Sequence, residues 1–402
     1  MNVENITVLG STGSIGQNTL DVIRRNPERF RVKALGAGSN VGKMFRDVKE
    51  FRPDVAVLAD KDAALELERL VRAEGDLGSV RVEGGYDVLS SIASLPDTDS
   101  VMAAISGSAG LVPALAAIKA GKKIYLANKE SLIMTGHLFI DEARRSHSVI
   151  LPVDSEHNAM FQCLPEIVQQ SIGYCDMKAA GVSKLLLTGS GGPFRKRDIS
   201  TFDAITPEEA VAHPTWSMGR KISVDSATMM NKGFEFIEAK WLFNASNDQI
   251  SVIIHPESMI HSMVQYRDGA VLAEIGNPDM RTPISRVMSY PDRIDSGVGP
   301  VDFFAIEHLE FIRPDFSRYP CLKLAIDSCW SGQSATTALN AANEKAVAAF
   351  LDRRIRFTDI VRVCSETVSR FSSERSETME DVFALDSAAS AYASDLVRKY
   401  TI

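Results

Sequence analysis

Short apolar runs alternate with amphipathic stretches through the first 150 residues. Runs at 6–9, 32–35, 55–58, 101–105, 123–126 and 149–153 read as strands, while 17–25 and 63–72 carry apolar residues at helical spacing. Strands separated by helical patterns predict a mostly parallel sheet with helices on both faces. The next stretch, 154–290, has strand-like runs at 184–187, 250–254 and 270–275 together with most of the unusual polar motifs. Residues 291–314 contain Pro and Gly with little periodicity and read as a linker. Beyond them, 335–351 and 357–371 are alanine-rich or apolar-periodic, so 315–402 is expected to form a small helical bundle. The fold class is therefore α/β: a Rossmann-like first segment (1–153), a central α+β segment (154–290), the linker, and the helical end. No internal repeat interrupts this plan. The uncharged stretch 100–118 is broken by Gly107, Gly110 and Pro113, so it reads as strand, turn and helix rather than a membrane span.

Composition narrows the partners. Of 402 residues, 44 are Lys or Arg and 52 are Asp or Glu, a net charge of −8. An acidic balance argues against a nucleic-acid partner, because phosphate backbones attract basic surfaces. It leaves room for a small anion met by local donors. The five cysteines (Cys163, Cys175, Cys321, Cys329, Cys364) form no CxxC pair and no zinc spacing, and they read as reduced core thiols of a cytoplasmic protein.

The first candidate site is Gly10-Ser11-Thr12-Gly13-Ser14-Ile15-Gly16, between the first strand and the first helix. Glycine lets the backbone turn tightly and approach a pyrophosphate, and the helix start offers free N–H groups to it. The spacing is GxxGxxG, a relative of the dinucleotide-binding fingerprint. A tight turn that binds nothing is the alternative. An NAD site usually carries an acid at the end of the second strand. Here that strand runs into Gly36-Ala37-Gly38-Ser39-Asn40, with no acid before Asp47. NADP is therefore the better fit, with Ser39, Asn40 and nearby Lys43 as donors to a 2′-phosphate.

The second is a set of carboxylates. In an extended segment Asp154 and Glu156 would point the same way, and Asn231 and Glu235 share a helical face four residues apart. Three carboxylates in one pocket would repel by about 4 kcal/mol per pair at ~4 Å and an effective dielectric of roughly 20. A divalent cation relieves that, and all-oxygen ligation favours Mg²⁺ or Mn²⁺ over zinc; solvated acids at element ends are the alternative. Gly189-Ser190-Gly191-Gly192 follows a strand and could form an amide nest for phosphate. Ser226 and the Asn231-Lys232 pair add further donors. The stretch 213–221 mixes His213, Trp216, Met218, Gly219 and two cations.

Read together, the motifs GSTGSIG (10–16), LANKES (126–131), PVDSEHNA (152–159), TGSGGPF (188–194), HPTWSMGRKISVDSATMMNKG (213–233), HPESMIHSMV (255–264) and NPDMRTPI (277–284) closely resemble the 1-deoxy-D-xylulose 5-phosphate reductoisomerase family over essentially the whole chain. The resemblance implies an enzyme of the non-mevalonate isoprenoid route. It would convert 1-deoxy-D-xylulose 5-phosphate to 2-C-methyl-D-erythritol 4-phosphate with NADPH and a divalent metal, as a homodimer. By matched position, Asp154, Glu156 and Glu235 would hold the metal. Ser155, Glu156, Ser190, His213, Ser226, Asn231, Lys232 and Glu235 would meet substrate, with Lys129 beside the reacting hydroxyls. Lys129 and Glu156 would be the catalytic pair. Thr12, Gly13, Ser14, Ile15, Gly38, Ser39, Asn40, Asn128, Glu130 and Gly219 would line the NADPH site. Trp216 and Met218 would lie on a closing flap at 209–221. Some relatives carry a basic residue where Ser39 stands, which makes the NADP preference less strongly encoded here. Read without the resemblance, a metal-assisted sugar-phosphate or hydroxy-acid dehydrogenase and a non-catalytic nucleotide sensor are the competing functions.

Overall fold

The computed structural model describes residues 3–212, 216 and 218–402. It divides into two compact units. The first comprises residues 1–131, 139–158 and 279–300, and the second 132–138, 159–278 and 301–402.

The first unit is built on seven parallel strands: β1 (Glu4–Leu9), β2 (Phe30–Ala37), β3 (Val55–Leu58), β4 (Arg81–Gly84), β5 (Ser100–Ala103), β6 (Lys123–Leu126) and β7 (Ile150–Pro152). Their order is β4-β3-β2-β1-β5-β6-β7, and every neighbouring pair runs parallel. This is the doubly wound arrangement the alternating pattern predicts. β3, β5 and β7 are buried at every position, as expected of strands covered on both faces. Asn40 caps the helix Val41–Phe51 and Asp60 caps Lys61–Ala73, each side chain accepting the backbone N–H of the third helical residue. Strand order reverses between β1 and β5, which is where doubly wound sheets open a ligand crevice at the carboxyl ends of their strands.

The second unit holds a four-stranded sheet of β8 (Val182–Gly189), β9 (Ile250–Ile254), β10 (Ile260–Tyr266) and β11 (Val271–Ile275), in the order β11-β10-β8-β9. β8 and β9 are parallel, whereas β10 is antiparallel to both its neighbours. The helix Met230–Leu242 packs on the helix Pro320–Ser331 so closely that a Cβ on Gly233 would lie 2.3 Å from that of Ala325. Gln333–Leu351, Asp359–Phe371 and Met379–Lys399 complete the expected helical end around Ala338, Ala341, Leu385 and Ala389.

The sequence pattern passed over β4, the helix Tyr86–Ala93, β10 and the helix Arg281–Ser289. β10 reads IHSMVQY, where buried His261 and Ser262 break the apolar run without leaving the sheet. The segment after β7 also differs from the extended reading: a helix, Ser155–Cys163, begins there. Asp154 therefore precedes the first turn and Glu156 lies in it.

Candidate active site

In the first unit the candidate residues gather along one edge of the sheet because they all follow strand C-termini. The glycine turn follows β1, Ser39 and Asn40 follow β2, Asn128 and Lys129 follow β6, and Asp154 follows β7. Parallel strands put all these ends on the same side.

The glycines have specific reasons to be glycine. Gly10 has φ +79°, and a Cβ there would lie 2.3 Å from the Ala104 carbonyl oxygen, just past the end of β5. A Cβ on Gly16 would lie 2.3 Å from the carbonyl oxygen of Gly10. Gly10 and Ser11 both donate their N–H to the Gly36 carbonyl (2.7 and 3.0 Å), tying the turn to β2. The helix Ser14–Arg25 starts at Gly13 with no side-chain cap and no acid in its first turn. Its first amides are thus presented to an anion with no competing carboxylate.

Helix Val41–Phe51 supports this turn. Lys43 Nζ donates to the Thr12 carbonyl at 3.2 Å. Gln17 Nε2 donates both to the Ser11 carbonyl (3.0 Å) and to Asp47 Oδ2 (2.9 Å). Burial raises the Asp47 carboxyl to about 6, against the partial relief of Gln17. Gly38, Ser39 and Asn40 are exposed, and Asn40 Oδ1 is engaged by the Lys43 amide.

Asn128 is almost fully buried. Its Nδ2 donates to the carbonyls of Ile105 (2.6 Å) and Gly107 (2.9 Å), and its Oδ1 accepts the Ser131 amide (2.9 Å). The carboxamide thus ties the loop after β5 to the loop after β6, with Glu130 at 3.3 Å. Next to it, Lys129 Nζ lies 2.6 Å from Asp154 Oδ2, and His157 Nδ1 is 3.8 Å from Asp154 Oδ1. Burial pushes the Asp154 carboxyl up, but the Lys129 ammonium and His157 outweigh it and hold the group well below its ordinary value. Asp154 is therefore an ionised hard donor. Ser155 Oγ donates to Glu156 Oε2 one residue on. His157, fully buried, was missed by sequence reading; its i,i+3 spacing from Asp154 was the available signal.

The second unit gathers a different set. β8 runs out at Gly189, and the next turn has φ +79° at Gly191 and +67° at Gly192. Gly192 donates its N–H to Ser190 Oγ at 3.1 Å, and Arg195 donates to the Ser190 carbonyl at 3.2 Å. A Cβ on Gly189 would lie 2.6 Å from Lys232 Cε, and one on Gly192 would lie 2.8 Å from the Ser226 carbonyl oxygen. Bare glycines thus let the Lys232 stem and the Ser226 backbone close on the Ser190 turn. Asn231 and Lys232 both donate to Glu235, on successive turns of one helix. Lys232 and Glu235 are both buried. Asp225, also missed by sequence reading, is held by Lys221 (2.9 Å) and Asn343 (2.8 Å), anchoring the helix Arg220–Ala227 that carries Ser226. Trp216 and Met218 are half-buried and Gly219 is exposed. His213 lies outside the described residues.

Comparison with known proteins identifies the assembly. The family model described as 1-deoxy-D-xylulose 5-phosphate reductoisomerase matches residues 6–136. Its C-terminal domain models match 150–243 and 275–392. The 1-deoxy-D-xylulose 5-phosphate reductoisomerase of Aliivibrio salmonicida (strain LFI1238) is 56% identical over 403 residues, covering 99% of this chain and 100% of that protein. The chain belongs to the 1-deoxy-D-xylulose 5-phosphate reductoisomerase family. Two solved structures agree with it throughout. A DOX-P reductoisomerase in complex with NADPH, fosmidomycin and magnesium superposes with a TM-score of 0.94 at 42% identity, covering 98% of both chains. The Zymomonas mobilis enzyme in complex with NADPH gives 0.89 at 43% identity, covering 98% of this chain and 99% of that one. Membership places the chain among the NADPH-dependent oxidoreductases, and the α/β architecture with a helical C-terminal region is that of the family. Among the described residues no helix is long and apolar enough to cross a membrane.

Proposed function

We propose that this chain rearranges and reduces 1-deoxy-D-xylulose 5-phosphate to 2-C-methyl-D-erythritol 4-phosphate. The observation that carries the reading is the shared sheet edge in the first unit, where the glycine turn and the Lys129–Asp154 pair both follow parallel strands. A dinucleotide-binding turn alone would suit a sensor. A turn beside a buried ammonium and an ionised carboxylate suits an enzyme that handles charge on oxygen.

The residues present fit both implied groups. For NADPH, the cradle at Gly10 and Gly16 leaves backbone room for a pyrophosphate, and we assign Thr12, Gly13, Ser14 and Ile15 as its amide donors. Gly38, Ser39, Asn40, Asn128, Glu130 and Gly219 complete that assignment, Asn128 by backbone and by shaping the loop. For a metal, the donor set is hard oxygen, and Asp154 is held ionised for it. We assign Asp154, Glu156 and Glu235 as ligands, with Mg²⁺ or Mn²⁺ as the ion. When bound, the metal supplies Lewis-acid polarisation of substrate oxygens and the dinucleotide supplies the hydride.

The chain's own groups divide the remaining work. Lys129 donates hydrogen bonds to substrate oxygens whose charge changes, and Glu156 accepts from a hydroxyl. Ser155, Ser190, His213, Ser226, Asn231 and Lys232 hold the substrate backbone and phosphate. Phosphate binding lies away from the reacting carbons, so its energy is available to hold them and to draw in Trp216 and Met218 of the flap 209–221, which lies partly outside the described residues. Closure excludes water from the reacting carbonyl.

We further infer a homodimer in the cytoplasm, with no nucleic-acid partner. The edge strand β11 exposes Val271 and Leu272, a surface that pairing would cover. All five cysteines are free. We assign the segments 1–153, 154–290 and 315–402, joined by 291–314, to cofactor binding, chemistry and support.

The test is carbon-13 NMR of the product formed from labelled substrate with NADPH and Mg²⁺. A branched carbon skeleton supports the reading, whereas an unbranched reduced sugar phosphate would assign a simple dehydrogenase instead.

A further inference from the structure

β10 carries an irregularity at one residue. Ile260 pairs with Ile275 and Ser262 with Glu274, so His261 is the extra residue of a β-bulge against β11. Bulges re-aim a side chain, and they recur beside active sites. The neighbouring strand pins this one: Thr188 Oγ1 donates to the carbonyls of Ile260 (2.8 Å) and His261 (2.6 Å). Thr188 lies two residues before Ser190, so the bulge and the Ser190 turn share a support.

The side chain that results is buried, and it is oriented from one side. His261 Nδ1 lies 2.7 Å from Glu274 Oε2. A carboxylate can only accept, so Nδ1 carries the proton. Nε2, on the far side of the ring, is buried and has no hydrogen-bond partner among the described residues. Gly276 leaves room for both groups: a Cβ there would lie 3.3 Å from Glu274 Oε1 and 3.4 Å from His261 Cε1. The His261 ring is also in contact with Trp216, at 6.2 Å between centroids and tilted by 50°. That spacing lies within the range in which aromatic rings attract.

We propose that Glu274 is a positioning residue, which acts through the bulged His261 to seat Trp216. The carboxylate fixes the tautomer and rotation of the imidazole. The imidazole offers Trp216 a ring face and an unpaired buried nitrogen, a group whose satisfaction favours whatever arrangement brings it a donor. The indole N–H is a donor only. The seated position of Trp216 on the flap rests on the function proposed above; the contact between the rings does not.

A double-mutant cycle tests this in the full chain, using Glu274→Ala, Trp216→Phe and the pair. Trp216 fluorescence is isolated by subtracting the spectrum of the Trp216→Phe protein. In the protein without substrate, Glu274→Ala is expected to increase acrylamide quenching of Trp216, and Glu274→Gln to restore most of the protection. With substrate, Glu274→Ala is expected to raise the sugar-phosphate KM about 10-fold, the scale of one lost hydrogen bond to a charged group. The KM for NADPH stays unchanged, and the Glu274→Ala effect disappears when Trp216 is already Phe. Unchanged quenching, or an equal KM effect in both backgrounds, would overturn the proposal. If Glu274→Ala does not fold, His261→Phe takes its place in the cycle, and the same two results support or overturn the proposal. The quenching arm needs no turnover, so it still decides if the proposed reaction fails.

Discussion

The glycine turn after β1 and the carboxylate helix start after β7 share one sheet edge but are made of different materials. At the turn, the binding groups are backbone amides. The side chains matter mainly by being absent, as at Gly10 and Gly16, where a Cβ would lie 2.3 Å from a carbonyl oxygen. After β7 the functional groups are side chains, and each depends on another. Asp154 owes its charged state to Lys129 and His157, and Ser155 donates to Glu156. A backbone site tolerates changes in its flanking side chains and fails when a methyl group is added. A side-chain site tolerates added bulk nearby and fails when a single charge is removed.

That contrast orders the predictions. Glu235→Gln should cut turnover at least ~10²-fold by weakening the metal template, while NADPH affinity measured by fluorescence stays within about twofold. Near-normal turnover would remove Glu235 from the site. Gly16→Ala should do the reverse, lowering NADPH affinity roughly 10-fold or more. Its new methyl group must displace the Gly10 carbonyl, at a cost of about 1–3 kcal/mol of stability in urea unfolding. Unaltered NADPH binding in a stable Gly16→Ala protein would show that the cradle is not a backbone site.

Lys43→Met sharpens the cofactor end further. Lys43 donates to the Thr12 carbonyl from the first turn of the helix after β2, and we assign it as a donor to a 2′-phosphate. The variant should lose about 10-fold in kcat/KM with NADPH and little with NADH. Equal losses with both would make Lys43 a support for the turn only. The last effect is on stability rather than activity and concerns Asp47, whose folded value near 6 lies above the ordinary carboxylate range. Between those two values the folded protein keeps a proton that the unfolded chain has released, so stability falls as pH rises through that window. Asp47→Asn should remove a pH-dependent loss on the order of 2 kcal/mol, read as the difference between urea midpoints at pH 4 and pH 7. An Asp47→Asn protein with the same pH 4 to pH 7 difference as the wild type would contradict the burial of this carboxyl.

The same contrast explains what could be read from the sequence. The first sheet was legible because β3, β5 and β7 are continuous apolar runs between helical patterns. The glycine turn was legible because its requirement is local. Spacing alone could not join Lys129 to Asp154, 25 residues away in the chain, since only the β6–β7 pairing brings them together. Nor could it show that Glu156 sits in a helix, because SEHNA has no strong helical signature. The long motifs supplied those positions through family resemblance. Asp225 and the Glu274–His261 pair were beyond reach, their partners being set by a distant helix and a β-bulge, whereas His157 offered only its i,i+3 spacing from Asp154.

The most direct test of the account follows NADPH absorbance in the purified chain. With 1-deoxy-D-xylulose 5-phosphate and Mg²⁺ together, NADPH should be oxidised steadily, and leaving out either should stop it. Oxidation that proceeds without the sugar phosphate, or none at all in folded, metal-loaded protein, would contradict the account.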